Sequence, residues 1–263
     1  MSDDYKMREL AADAMDEAAR LSTVGIVSGS GKNKWKGLGT GTLIRWKGQP
    51  AILTANHVIR GTSAEDLRFF LPLENPPKTV ERDVLLSMRG AATTNLLPFS
   101  PLHVGGVIAD ADLDVAVILV DEKLDGRHPA ARFFEMAPGG HTPTEGALVS
   151  RGFPHDLSRW TEANEGVVFM YGHWTTVVAI PDGHSNVDPE IHFVAPFDDP
   201  DKKAHPAGLS GSAQWFRRST PPPSLWTPNL DIGGITISYL TPERLLKMVR
   251  REAVEYFLSS RIG

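Results

Sequence analysis

Three side chains of the kind that can open an acyl bond occur in a telling order along this chain: His57, Asp114 and Ser210. Ser210 lies within Pro206-Ala207-Gly208-Leu209-Ser210-Gly211-Ser212-Ala213, where glycines and small residues would let backbone amides crowd in beside a hydroxyl. A serine hydroxyl is a weak nucleophile until a base takes its proton and an acid orients that base. His57 follows an apolar run in Thr54-Ala55-Asn56-His57, and Asp114 opens another in Leu113-Asp114-Val115-Ala116-Val117. At such a strand edge a carboxylate can sit half-buried against an imidazole. Each residue alone has an ordinary explanation: glycine and serine clusters are usually turns, a histidine after a strand is usually a surface residue, and aspartate starts many turns. Their order is what discriminates.

An α/β-hydrolase elbow needs its histidine after the serine, but the last histidine here is His205, before Ser210, and the residue two past Ser210 is Ser212 rather than glycine. A subtilisin-type order needs an acid ahead of the histidine. The acids before His57 are Asp3, Asp4, Glu9, Asp13, Asp16 and Glu17, all in the N-terminal helical region. What remains is the order His57, Asp114, Ser210. A phosphate-binding loop at Gly31-Lys32 is rejected, because Ile26 stands where its first glycine belongs and Asn33 where Ser or Thr is needed.

The elements that must position these residues read mostly as strand. With 263 residues, 41% apolar and 22% charged, the chain can bury a large core. A net charge of −5 gives no footprint for nucleic acid, and Lys32, Lys34, Lys36, Arg217 and Arg218 read as solvated surface. The absence of cysteine excludes disulfides, a thiolate zinc site and a cysteine nucleophile. No signal-type apolar segment opens the chain and no run of 18 apolar residues follows, so a soluble cytoplasmic protein without a membrane partner is expected. Helical spacing covers residues 4–21, and Thr241-Pro242-Glu243 offers a start for a second helix whose apolar face is Leu245, Met248, Val249, Val254, Phe257 and Leu258. Between them, strands are expected at 24–27, 39–46, 51–54, 67–71, 83–88, 114–120, 147–150, 167–171, 175–180, 191–194 and 234–238. Gly39, Gly41 and the run Pro221 to Pro223 are taken as turn and loop residues, and 121–145 as a linker. Many short strands with helices only at the ends predict an all-β protein, two barrels or a sandwich.

The motifs resemble the trypsin-like, chymotrypsin-fold serine peptidases, in particular the cysteine-free bacterial branch that includes the HtrA proteases. Thr54-Ala55-Asn56-His57 resembles the segment around the family's base, and Asp112-Leu113-Asp114-Val115-Ala116-Val117 its acid strand, with Asp114 in register. Gly208-Leu209-Ser210-Gly211-Ser212 resembles its nucleophile loop; Gly41-Thr42-Leu43-Ile44 resembles the strand before the base and Gly152-Phe153-Pro154 a feature of the second barrel. The resemblance spans residues 23–240. It implies two antiparallel six-stranded β-barrels with short terminal helices: helix 1–22, a first barrel 23–125 carrying His57 and Asp114, a second barrel 126–240 carrying Ser210, and helix 241–263. It further implies a His57-Asp114-Ser210 triad acting on peptide bonds, an oxyanion hole from the N–H groups of Gly208 and Ser210, and no metal or other cofactor.

The chain also departs from that family. Val24-Gly25-Ile26-Val27 lacks the two-glycine start of activated digestive enzymes, so no zymogen cleavage is expected. The N-terminal helix is expected to pack on a barrel, with docking of a regulatory protein partner as the other role. Ala204 stands six residues before Ser210, with Lys202, Lys203 and His205 beside it, so cleavage after Lys or Arg is not supported. The pocket is placed on Ala204, His205 and the strand segment Gly234, Ile235 and Thr236, with a small or apolar substrate residue expected. The alternatives are a peptide-binding module that does not cut, and an esterase using the same three residues.

Overall fold

The computed structural model describes residues 13, 15–29, 36–72, 91–94, 104–120, 132–153, 168–181, 183–197, 206–218, 230–241 and 243–262. The strand expected at 83–88, the helix residues before 13, and the pocket residues Ala204 and His205 lie outside them.

Two curled antiparallel sheets make up the body of the protein, with short helices at its ends. In the first sheet the strands run β4 (Leu67–Phe70), β1 (Thr23–Ser28), β2 (Lys36–Trp46), β3 (Gln49–Ala55), β7 (Val115–Val120), β6 (Val104–Asp110). A two-residue strand, β8 (Phe134–Glu135), adds to β2 in parallel. The β2–β3 hairpin closes through Lys47 and Gly48, both with positive φ (48° and 84°), the backbone that a two-residue turn between right-twisted strands requires. The second sheet runs β11 (His192–Pro196), β14 (Leu245–Arg250), β13 (Leu230–Leu240), β12 (Ala213–Arg217), β9 (Ala147–Gly152), β10 (Val168–Thr176), β5 (Ala91–Thr94). Thus β5, from the first half of the chain, extends the second sheet, while β8 crosses the other way.

One buried cluster joins the two sheets: Leu43, Ile52 and Val117 from the first pack in it with Trp215, Ile232 and Ile235 from the second, all without solvent exposure. Each such side chain contributes about 2 kcal/mol on leaving water. Helix α1, residues 15–22, adds Met15 and Ala19 to the same cluster. It is pinned to the second sheet by an ion pair between Asp16 and the buried Arg151, whose Nε donates to Asp16 Oδ1 at 2.8 Å. The expected packing of the N-terminal helix on the barrels is therefore seen over these residues.

Several boundaries differ from the sequence reading. The C-terminal helix, α3 (Arg251–Arg261), does not begin near Thr241; residues 245–250 form β14, held between β13 and β11. Leu245, Leu246, Met248 and Val249 are all buried, and a short run apolar on both faces satisfies helical spacing as well as strand pairing, so the sheet decides. The strands expected at 167–171 and 175–180 are replaced, over the described residues, by one strand, β10 (Val168–Thr176), because Gly172 is not a break: a Cβ there would stand 2.6 Å from the Arg151 guanidinium carbon. Gly39 and Gly41 lie inside β2 rather than in a turn; a Cβ on Gly41 would come within 2.5 Å of Ile52 Cγ2. The described part of the expected linker is tied down, with Arg132 N–H donating to Leu21 O at 3.0 Å and Gly139 and Gly140 N–H to the Glu255 carboxylate at 2.9 and 2.8 Å.

Candidate active site

The register of β3 against β7 brings two chain ends together. Ala55 lies opposite Val115 and Thr54 opposite Ala116, so the residues just after β3 and just before β7 must meet. The ladder continues one step as Asn56 N–H donates to Asp114 O at 2.9 Å. There the chain turns into a single helical turn, α2 (Asn56–Ile59). His57 then faces Asp114: its backbone N–H donates to Asp114 Oδ1 at 2.9 Å, and its Nδ1 lies 2.7 Å from Asp114 Oδ2. With the Nδ1 proton held by the carboxylate, Nε2 is left as the basic nitrogen.

Asp114 itself has φ of 56°, a left-handed conformation that aspartate tolerates better than most side chains. The turn before it is fixed by Asp110, whose Oδ1 accepts the N–H groups of Asp112 and Leu113, each at 3.0 Å. The Asp114 and His57 side chains keep 26% and 37% of their surface exposed, so the pair is reachable from solvent.

Ser210 is supplied by the turn that leads into β12. Two glycines with positive φ shape this turn, Gly208 at 97° and Gly211 at 89°. A Cβ on Gly211 would collide with Thr40 O and Thr54 Oγ1, so no other residue fits there without displacing the first sheet. The N–H groups along the turn divide in a regular way. Leu209 donates to Pro206 O at 2.9 Å, Gly211 to Thr236 O at 2.8 Å and Ser212 to Leu209 O at 2.9 Å. Those of Gly208 and Ser210 have no acceptor among the described residues.

The two parts are joined by Thr40, in the middle of β2. Its N–H donates to Ser210 O at 2.9 Å, its hydroxyl donates to Gly208 O at 2.6 Å and accepts from Phe153 N–H at 3.0 Å. Thr54 Oγ1 in turn donates to Thr40 O at 2.7 Å. A Cβ on Gly39 would lie 2.8 Å from Val58 Cγ2 and 3.0 Å from Ser210 O, so only a glycine's width separates the Ser210 backbone from the turn carrying His57. The Ser210 hydroxyl and His57 Nε2 make no hydrogen bond among the described residues. Contacts of this type are often long without substrate and tighten in the complex.

Of the residues expected to form the pocket, Gly234, Ile235 and Thr236 are described, and all three are buried. Ile235 and Thr236 are 0% and 2% exposed, and Gly234 is buried against Val249 O. Thr236 Oγ1 accepts from Gln214 Nε2 at 2.8 Å and from Ser212 Oγ at 3.1 Å. These three residues support the Ser210 turn from beneath; the strand reaches solvent further on, at Ser238 and Tyr239. Thr40 and Lys247 were not marked by the sequence. The signal for Lys247 is its place as the one charge between buried positions of β14. Burial lowers its pKa, and the nearby Asp114 carboxylate opposes that shift.

The two curled sheets resemble the double-barrel arrangement of chymotrypsin. No protein-family profile and no curated protein sequence matches the chain. Among the described residues no helix is long and apolar enough to cross a membrane, and no three His, Cys, Asp or Glu side chains form a metal-binding group.

Proposed function

We propose that the protein is a serine endopeptidase in which Ser210 is the nucleophile, His57 the base and Asp114 the residue that orients it. The observation that carries this reading is the doubly hydrogen-bonded His57–Asp114 pair, at 2.7 and 2.9 Å, set beside a serine turn whose Gly208 and Ser210 N–H groups have no acceptor among the described residues. Ser210 Oγ attacks the peptide carbonyl carbon while His57 Nε2 takes its proton. The oxyanion that forms is received by Gly208 and Ser210 N–H, each worth about 3 kcal/mol in such sites. His57 then protonates the leaving amine, and water repeats the sequence on the acyl-enzyme. Asp114 holds the imidazole tautomer throughout and offsets its positive charge.

Incubating the protein with a mixed peptide library and reading new termini by mass spectrometry tests this reading. Cleavage is expected, and its loss in Ser210→Ala. An intact library alongside hydrolysis of a p-nitrophenyl ester would make the protein an esterase; inertness toward both would leave a binding module.

A further inference from the structure

On β14, Leu245, Leu246, Met248 and Val249 are buried while Lys247 and Arg250 are only partly so. Lys247 pairs with Ser238 on one side and Val194 on the other. Residues 231–237 of β13 are buried and Ser238 is exposed, so Lys247 emerges where the second sheet opens to solvent, opposite Ser238 and thus two strand residues beyond Thr236, whose carbonyl accepts Gly211 N–H of the Ser210 turn at 2.8 Å. Its Nζ donates to Asn186 O at 2.5 Å. Among the described residues it has no carboxylate partner. An ammonium that has lost part of its hydration and gained a single carbonyl is short of counter-charge.

The neighbouring groups leave that role to Lys247. His192 is neutral at ordinary pH, since burial and the Lys247 charge depress its pKa to about 4, and its Nδ1 accepts from Asp188 N–H at 3.1 Å. Arg250 Nε is occupied by Pro189 O and His192 O at 2.8 and 3.0 Å. Asp188 and Glu190 lie in the exposed loop that leads into β11, where Asp188 Oδ1 accepts Glu190 N–H at 2.9 Å. On the far side, the Asp114 carboxylate is close enough to favour the charged form of Lys247.

We propose that Lys247 is a specificity-determining residue whose ammonium binds an aspartate or glutamate side chain of the polypeptide held at Ser210. This rests on the peptidase reading and replaces the small or apolar preference expected from Ala204. Among the described residues no carboxylate is hydrogen-bonded or ion-paired to Lys247, and Asp114 acts on it only through its charge while bound to His57, so a substrate carboxylate can bond the ammonium directly and an uncharged isostere cannot.

The test uses peptide pairs that differ only in Glu against Gln at a single position. Wild-type protein is expected to cleave beside Glu about 10- to 100-fold faster than beside Gln. Lys247→Gln is expected to bring the two rates within about threefold, and Lys247→Glu to favour Lys in place of Glu. Thermal melting followed by circular dichroism reports whether each variant folds. The Ser210→Ala variant adds a readout that needs no turnover: fluorescence anisotropy should show tighter binding of the Glu peptide. Cleavage without preference for Glu, or a preference that survives in Lys247→Gln, overturns the proposal while leaving the peptidase reading intact. Absence of any cleavage contradicts the peptidase reading, and equal binding of the two peptides to Ser210→Ala then overturns this one as well.

Discussion

His57 and Asp114 come from one sheet and are fixed by its own ladder, whereas the Ser210 turn comes from the other sheet and is fixed largely by its neighbour. The first arrangement needs only the β3–β7 register, Asn56 N–H on Asp114 O, and a turn closed by Asp110. The second depends on Thr40 and Thr54, residues of the opposite sheet that fill the space left by Gly211, and on Gly39, whose missing side chain lets the Ser210 carbonyl approach Val58. The His57–Asp114 pair is therefore a local property of one sheet. The placement of Ser210, the proposed nucleophile, is a property of the interface, and damage to that interface should misplace Ser210 while sparing the His57–Asp114 pair.

Asp114→Asn changes only the locally fixed pair and should have the largest effect. Asparagine tolerates the φ of 56° at this position, so the fold should persist while peptide hydrolysis falls by about 10⁴ through loss of the correct imidazole tautomer. A melting temperature near wild type with that loss of kcat is the expected result. On the interface side, Gly211→Ala combines a positive φ with collisions against Thr40 and Thr54, and should cost about 3 kcal/mol or more in urea unfolding. Thr40→Val is milder. It removes the hydroxyl that links Gly208 O and Phe153 N–H, and should cost about 2 kcal/mol. It should also lower kcat/KM while the downfield proton resonance of His57 Nδ1–H stays in place; disappearance of that resonance would show that the two halves are not independent.

The smallest effect belongs to His192, away from the interface. Its pKa is held near 4, first by burial and then by Lys247. The unfolded histidine, with a pKa of about 6.5, takes up a proton first as pH falls. Stability from this residue is thus complete above about pH 6.5 and is lost as pH drops toward 4; the full shift corresponds to about 3 kcal/mol, which solvent screening around the ring reduces to about 1 kcal/mol. Unfolding curves of His192→Asn across that range should be flatter than those of wild type.

The local half of the site was legible in the sequence, because apolar runs on either side of His57 and Asp114 marked the strands whose register joins them. The glycines around Ser210 marked a tight turn. Thr40 was invisible for a physical reason: its hydroxyl serves Gly208, 168 positions away, and nothing local distinguishes it from any other strand threonine. Gly39 and Gly41 looked like turn residues because a glycine kept for close approach has the same letter as one kept for a bend. β6 escaped notice since its Val-Gly-Gly-Val edge alternates between partial and full exposure and carries little apolar signal. β14 looked helical because its residues are good helix formers, and only pairing with β11 and β13 shows otherwise.

In the proposed mechanism a hydroxyl from the second sheet is activated by a base from the first. Labelling with a fluorophosphonate probe, followed by peptide mapping of the adduct, tests it most directly. One adduct is expected, on Ser210, formed quickly in wild type and strongly slowed in His57→Ala. A folded wild-type protein that does not label, or that labels elsewhere, would contradict it.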